Sequence, residues 1–160
     1  MLGRTLRGGE TIALYGPLGA GKTALVRGIA QGLGASPTAV TSPTFVVIHE
    51  YQGRLPLAHV DLYRIRSPRE LESTGLIEYF SGQTVTAREW ADKGLAALPQ
   101  DRIEITLNHR AARSRTIQLS ATGPKSDEVL ALARRQYSKT SRMHRATPRR
   151  ALNKKETTRS

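Results

Sequence analysis

Apolar positions along this chain switch between strand-like and helix-like spacing. Thr11–Tyr15 (TIALY) is a short apolar run, the pattern of a buried strand. Thr23–Leu33 follows with Leu25, Val26, Ile29 and Leu33 on one face of a helix and Gly34 as its stop. Phe45–Tyr51 is β-branched and aromatic, Gln52–Gly53 turns, and Leu55–Asp61 runs back, which predicts two strands with Pro56 near the start or edge of the second. Ser67-Pro68-Arg69-Glu70 sets a capping serine, a proline at the first helical position and a glutamate three residues after the cap, a strong helix start. Thr84–Arg88 reads as a strand and Ala91–Leu98 as a short helix ended by Pro99. Arg102–Asn108 and Arg115–Ala121 alternate through Ile103, Ile105, Leu107 and Ile117, Leu119, so they predict an antiparallel pair with one wet face. Ser126–Gln136 is the closing helix. The elements make a small α/β domain with a C-terminal antiparallel strand pair and no internal repeat.

The junction between the first strand and helix carries chemistry. Residues 16–23 read GPLGAGKT and fit G-x-x-x-x-G-K-[ST], a loop that aims successive backbone N–H groups inward at a polyanion while the following helix N-terminus adds positive partial charge. Gly16, Leu18, Gly19, Ala20, Gly21, Lys22, Thr23 and Ala24 form the predicted nucleotide-binding set. Lys22 would reach the β- and γ-phosphates, and the Thr23 hydroxyl would bind a magnesium ion shared with them.

Composition narrows the setting. A chain of 160 residues suffices for one domain with a real core, and the absence of cysteine excludes disulfides, thiolate metal sites and a cysteine nucleophile. No stretch has the length of an apolar membrane span and MLGRTLRGGE lacks the core of a secretory signal, so a cytoplasmic protein without membrane attachment is expected. The net charge of +12 is lopsided. Residues 1–133 hold 15 Lys/Arg and 12 Asp/Glu, whereas residues 134–160 hold 10 Lys/Arg and only Glu156 as an acid. The chain therefore divides into a domain over residues 1–136 and a basic tail over 137–160, which is too poor in apolar residues to offset its ordering entropy and is expected to be disordered. The tail reads either as an electrostatic attachment to RNA or as a solvated appendage, and beyond Tyr137 it lacks interleaved aromatics.

Hydrolysis needs more than a phosphate loop: a γ-phosphate sensor, an acid for the magnesium shell and something to orient water. Three stretches could supply them. Thr41-Ser42-Pro43-Thr44-Phe45 is either a switch segment or a plain Ser/Thr-Pro turn. In His59–Arg64 (HVDLYR) an apolar strand delivers Asp61 at its C-terminal end, where it either holds metal-bound water or closes a turn; His59 reads as packing and Arg64 as surface charge. Glu89 and Trp90, at the end of another strand, read as a magnesium-side acid beside a residue of the nucleotide pocket or of a partner face.

Taken in order, LYGPLGAGKT, TSPTF, HVDLYR and EW resemble the TsaE family, small bacterial P-loop ATPases needed for the threonylcarbamoyl modification of tRNA adenosine; the resemblance covers Leu2 to Gly123. It implies a P-loop fold with a mostly parallel sheet flanked by helices, and ATP and magnesium as cofactors. It also implies Lys22, Asp61 and Glu89 as activity-bearing residues, Thr23, Asp61 and Glu89 around the metal, and Thr41, Thr44 and Trp90 near the nucleotide. Arg115 is a further candidate there on the sequence alone, since it and Arg64 are the internal arginines that could meet the transition-state charge. The implied partner is the TsaD–TsaB pair, and through it tRNA, with slow hydrolysis alone and stimulation by the partner. The chain departs from the family pattern at Pro17, where an acid is usual, at Arg88, where an apolar residue is usual, in its short N-terminal helix, and in its basic tail. The rival readings are a small-molecule kinase, which would need an arginine-bearing lid that the sequence does not show, and an RNA-binding module acting through the tail.

Overall fold

The computed structural model describes residues 1–36, 40–41, 48–80 and 82–146. Six strands make one sheet in the order β2-β3-β4-β1-β5-β6. They are β1 (Thr11–Tyr15), β2 (Ile48–Tyr51), β3 (Leu57–Asp61), β4 (Val85–Glu89), β5 (Ile103–Ala111) and β6 (Ser114–Ala121). The inner strands β3, β4, β1 and β5 run parallel, while β2 and β6 lie antiparallel on the two edges. This is the α/β architecture expected, with the C-terminal antiparallel pair in place.

The apolar runs became central strands because both faces of the sheet are covered. Ile12, Leu14, Ile103, Ile105, Val85 and Ala87 pack with Val26 and Ile29 of helix α2 (Lys22–Gly32), with Leu33 just after it, and with Val129 and Leu130 of helix α4 (Pro124–Ala146). Val60, Leu62, Ile65, Leu71 and Leu76 form a second cluster on the other side, under helix α3 (Pro68–Glu72) and the 3₁₀ turn Leu76–Phe80. Truncating one of the large core residues to alanine would cost about 2–5 kcal/mol. The Ser67 hydroxyl accepts from Glu70 N at 3.2 Å as the cap predicts, but the Glu70 carboxylate reaches back to Arg66 N, one residue earlier than a reciprocal box requires. A four-residue helix α1 (Leu2–Thr5) precedes β1, and Arg54 ties it down by donating to the carbonyls of Gly3 and Leu6 at 2.8 and 2.7 Å.

Three expectations change. Ile117 and Leu119 sit opposite Leu107 and Ile105, yet remain 47% and 39% exposed, because β6 is an edge strand that the helices only partly cover. The segment after β4 is a 3₁₀ stretch, Ala91–Ala97, broken at Gly94 (φ −159°, ψ 48°), rather than a regular helix. The closing helix does not stop at Gln136 but continues to Ala146, ten residues into the segment expected to be disordered. Its start is fixed by Asp101, whose carboxylate accepts from Lys125 N and Ser126 N at 2.8 and 3.0 Å. Among the described residues no helix is long and apolar enough to cross a membrane.

Candidate nucleotide site

The C-terminal ends of β1, β3 and β4 meet at one edge of the sheet, where open parallel sheets place their ligands. The loop leaving β1 needs its glycines. Gly16 has φ +137°, and a Cβ there would lie 2.3 Å from Leu107 O; Gly21, the residue before α2, has φ +104°. Pro17 sits in the loop with its carbonyl accepting from Ala20 N at 3.2 Å.

A cavity of about 270 Å³ opens above this loop, lined by Leu18, Gly19, Gly21, Lys22, Thr23, Asp61, Tyr63, Glu89 and Trp90. The structure thus brings together the loop, the acid of HVDLYR and the Glu-Trp pair, which the sequence holds far apart. Lys22 folds back over its own loop, donating to Gly16 O at 2.7 Å and Pro17 O at 3.0 Å, and its Nζ stands 3.7 Å from the centre of the Trp90 ring. Burial pushes the Lys22 pKa down, against the opposing pull of Glu89, Asp61 and Asp92. Trp90 adopts φ 57°, ψ 46°, a left-handed conformation that a non-glycine residue rarely takes, and packs against Tyr63 with ring centres 5.0 Å apart and planes tilted by 48°.

Glu89 is the hub. It is 3% exposed and its Oε1 accepts from the Thr23 hydroxyl at 2.7 Å and pairs with His59 Nε2 at 2.8 Å. Parallel pairing puts Asp61 opposite Glu89 in the β3/β4 register, so two carboxylates end side by side. Asp61 is 4% exposed and accepts from Tyr63 N at 2.9 Å, which turns the chain away from the strand end. His59 is more than the packing residue its strand pattern suggests. A histidine two residues before an acid on a strand shares its face, which is the signal the sequence offers.

Other predicted residues fall elsewhere. Gly16 contributes its carbonyl to Lys22 but does not line the cavity; Ala20 is buried beneath the loop, and Ala24 is exposed on α2. Thr41 is exposed and outside the lining; its carbonyl takes the Tyr51 hydroxyl at 3.4 Å, while Arg27 holds the neighbouring Val40 carbonyl at 3.0 and 3.2 Å. Thr44 and the rest of the switch segment lie outside the described residues. Arg115 does not reach the cavity, because its guanidinium folds onto its own hairpin, donating to Ala111 O and Ser114 O at 3.2 and 3.0 Å.

The chain is similar to known proteins. The profile of the family described as "Threonylcarbamoyl adenosine biosynthesis protein TsaE" matches residues 1–117. The chain belongs to the TsaE family. A TsaE from Bacillus subtilis is 45% identical over 116 residues, covering 72% of this chain and 72% of that protein. One from Treponema pallidum is 38% identical over 120 residues, covering 75% and 88%. The crystal structure of YdiB from Bacillus subtilis superposes with a TM-score of 0.69 at 35% identity, over 84% of each chain. In this TsaE chain the matched profile takes in the loop, Asp61, Glu89 and Trp90 but ends before α4.

The residues present suit magnesium and a nucleotide together. Thr23, Asp61 and Glu89 offer only hard oxygen donors, the kind Mg²⁺ prefers. Among the described residues no group of three or more His, Cys, Asp or Glu stands together.

Proposed function

We propose that this chain binds ATP with magnesium and hydrolyses it as the P-loop subunit of the machinery that makes threonylcarbamoyladenosine on tRNA, acting with a TsaD–TsaB pair. The observation that carries this reading is the contact of the Thr23 hydroxyl with Glu89 Oε1 at 2.7 Å, with Asp61 and Lys22 on the same cavity. A phosphate loop alone binds; a strand-end acid in contact with the loop threonine is what a site needs to order metal and water. Lys22 would release its loop carbonyls and meet the β- and γ-phosphates, and the loop amides would take the remaining charge. Thr23, Asp61 and Glu89 would hold magnesium, which supplies charge neutralisation on the phosphates.

Among the described residues lining the cavity, Lys22 is the only cation. Turnover by the isolated chain is therefore slow, since no second positive charge stands ready for the transition state, and a partner supplies or positions it. Trp90 and Tyr63 form the wall such a partner would press on. The deciding experiment is reconstitution with TsaD and TsaB proteins of the same source, following ATP hydrolysis and tRNA modification together. The expected result is that both depend on all the proteins. Fast ATP turnover by the chain alone, indifferent to the pair, would replace this reading with a self-sufficient kinase or ATPase.

A further inference from the structure

In helix α4 positions 134 to 140 are all exposed, although Thr140 still approaches Met1 Sδ at 3.9 Å. Arg134, Arg135 and Lys139 occupy one sector of its surface, spanning about 140° of arc at 3.6 residues per turn. Helix positions 142 and 145, both arginine in the sequence, fall within the same arc. Complementing the helix dipole does not explain this charge. That effect fades within the last turn, and Arg134 stands three turns before the end. A bilayer is not the matching surface either, because this stretch has no broad apolar face.

Beside the stripe lies a groove of about 580 Å³ between α1, the C-terminal half of α2 and α4. Arg4, Lys139, Gln31, Gln136 and Thr140 supply its polar lining, which includes two cations and no carboxylate. Tyr137, 64% exposed, stands one turn on from Arg134. It gives the basic stretch an aromatic on the same helix. Exposed cations, neutral donors and one exposed ring are the parts that hold a phosphodiester backbone and stack an unpaired base.

We propose that this groove and the basic stripe of α4 form a docking surface for RNA with an unpaired loop. It stands apart from the nucleotide site: Gln31 lies nine residues along α2 from Lys22, about 13 Å at 1.5 Å per residue. Helix α4 lies beyond residues 1–117, the span that the family profile matches. The surface does not depend on the nucleotide reading; only the choice of tRNA as probe does.

The test is fluorescence anisotropy of a labelled tRNA transcript with the full chain, over a range of salt. Arg134→Glu, Arg135→Glu and Lys139→Glu combined should weaken binding at least tenfold and flatten the log–log salt slope by about 2–3, at roughly 0.7–0.9 for each phosphate no longer neutralised. Reversing Arg110, Arg113 and Lys125 together changes net charge equally and should weaken it by less than threefold. Tyr137→Ala should weaken the looped RNA but not a blunt RNA duplex, with Tyr137→Phe restoring it. Binding of a fluorescent ATP analogue should be unchanged in every variant, showing that the fold is intact and separating this proposal from the nucleotide reading. The proposal is overturned if the two triple variants lose affinity equally, or if truncation after Ala146 abolishes RNA binding, which would move the contact to the segment beyond. Equal or tighter binding to phosphatidylglycerol vesicles, or displacement of RNA by ATP, would overturn it as well.

Discussion

Arg88 and Glu89 are neighbours on β4, both almost wholly buried, and they point to opposite faces of the sheet. Glu89 lines the cavity above the loop and meets a donor on each side, Thr23 at 2.7 Å and His59 at 2.8 Å. Arg88 looks the other way and is 0% exposed; its Nη2 donates to Gly94 O at 2.9 Å, while neither Nε nor Nη1 has a hydrogen-bond partner among the described residues. Burial depresses the Arg88 pKa to about 10. Equal burial therefore means opposite things. One charge is held by partners that serve a site, and the other sits at a cost beneath the broken 3₁₀ stretch that begins after Trp90.

The Glu89 side should show the largest effects. Glu89→Gln keeps an oxygen to accept from Thr23 and His59, so ATP still binds while hydrolysis by the reconstituted system falls by a factor on the order of 10² or more. Steady-state hydrolysis beside equilibrium nucleotide binding checks this, and wild-type turnover would reduce Glu89 to a structural partner of His59. Lys22→Ala should lower ATP affinity by a factor on the order of 10², since one buried charge-assisted contact to phosphate is worth about 1.5–3 kcal/mol. Titration with a fluorescent analogue reads it, and unchanged affinity would refute the phosphate-loop assignment.

His59 tests whether the pairing matters or only the burial. His59→Leu leaves Glu89 short of a donor in a dry site, which should cost about 1–3 kcal/mol in denaturant unfolding and slow hydrolysis without a matching loss of nucleotide affinity. His59→Gln, which restores a donor toward Glu89, should recover part of both. Equal behaviour of the two variants would mean that the histidine only fills space.

These contacts also mark where the sequence stops being informative. The loop was legible because its chemistry is packed into residues 16–23, and the strands because apolar runs and alternation need no distant knowledge. The sequence could not show that Asp61 and Glu89 lie in register or that His59 reaches Glu89, for those depend on β3 lying beside β4 across thirty residues of chain. Composition misplaced the end of α4, since polar residues with good helix propensity continue a helix that packing has already nucleated. Arg115, a candidate for the nucleotide site as one of two internal arginines, donates to its own hairpin carbonyls, a local competition that no motif reports.

On the Arg88 side the next largest effect belongs to Gly94. A Cβ there would lie 2.0 Å from Arg88 Nη2 and 2.6 Å from Leu71 Cδ2, so Gly94→Ala should destabilise by about 1–3 kcal/mol through overpacking. Pairing it with Arg88→Met should remove part of that cost, since the side chain in the way becomes flexible and uncharged. Purely additive unfolding energies would show that Leu71, not Arg88, is the obstacle.

The smallest effect is the most discriminating. Arg88→Met removes a guanidinium with two unpartnered nitrogens and leaves Gly94 O without its donor, two changes that oppose each other, so stability at neutral pH should shift by no more than about 1 kcal/mol. The pH dependence separates them. The folded state holds Arg88 at about 10 while the unfolded chain keeps the ordinary, higher arginine value, so between these values the folded state sheds a proton that the unfolded state retains. Stability of the wild type relative to the variant must then rise as pH increases above about 10, and stay flat below it, where both states are protonated. Taking the difference between the two proteins cancels tyrosines that do not interact with Arg88; Tyr15, whose burial raises its own pKa, is coupled to Arg88 and does not cancel, so both proteins carry Tyr15→Phe in this comparison. Denaturant unfolding of both proteins at a series of pH values from about 8 to about 11 measures it; a difference independent of pH would mean that Arg88 is charged in both states to the same extent and is held by more than Gly94 O.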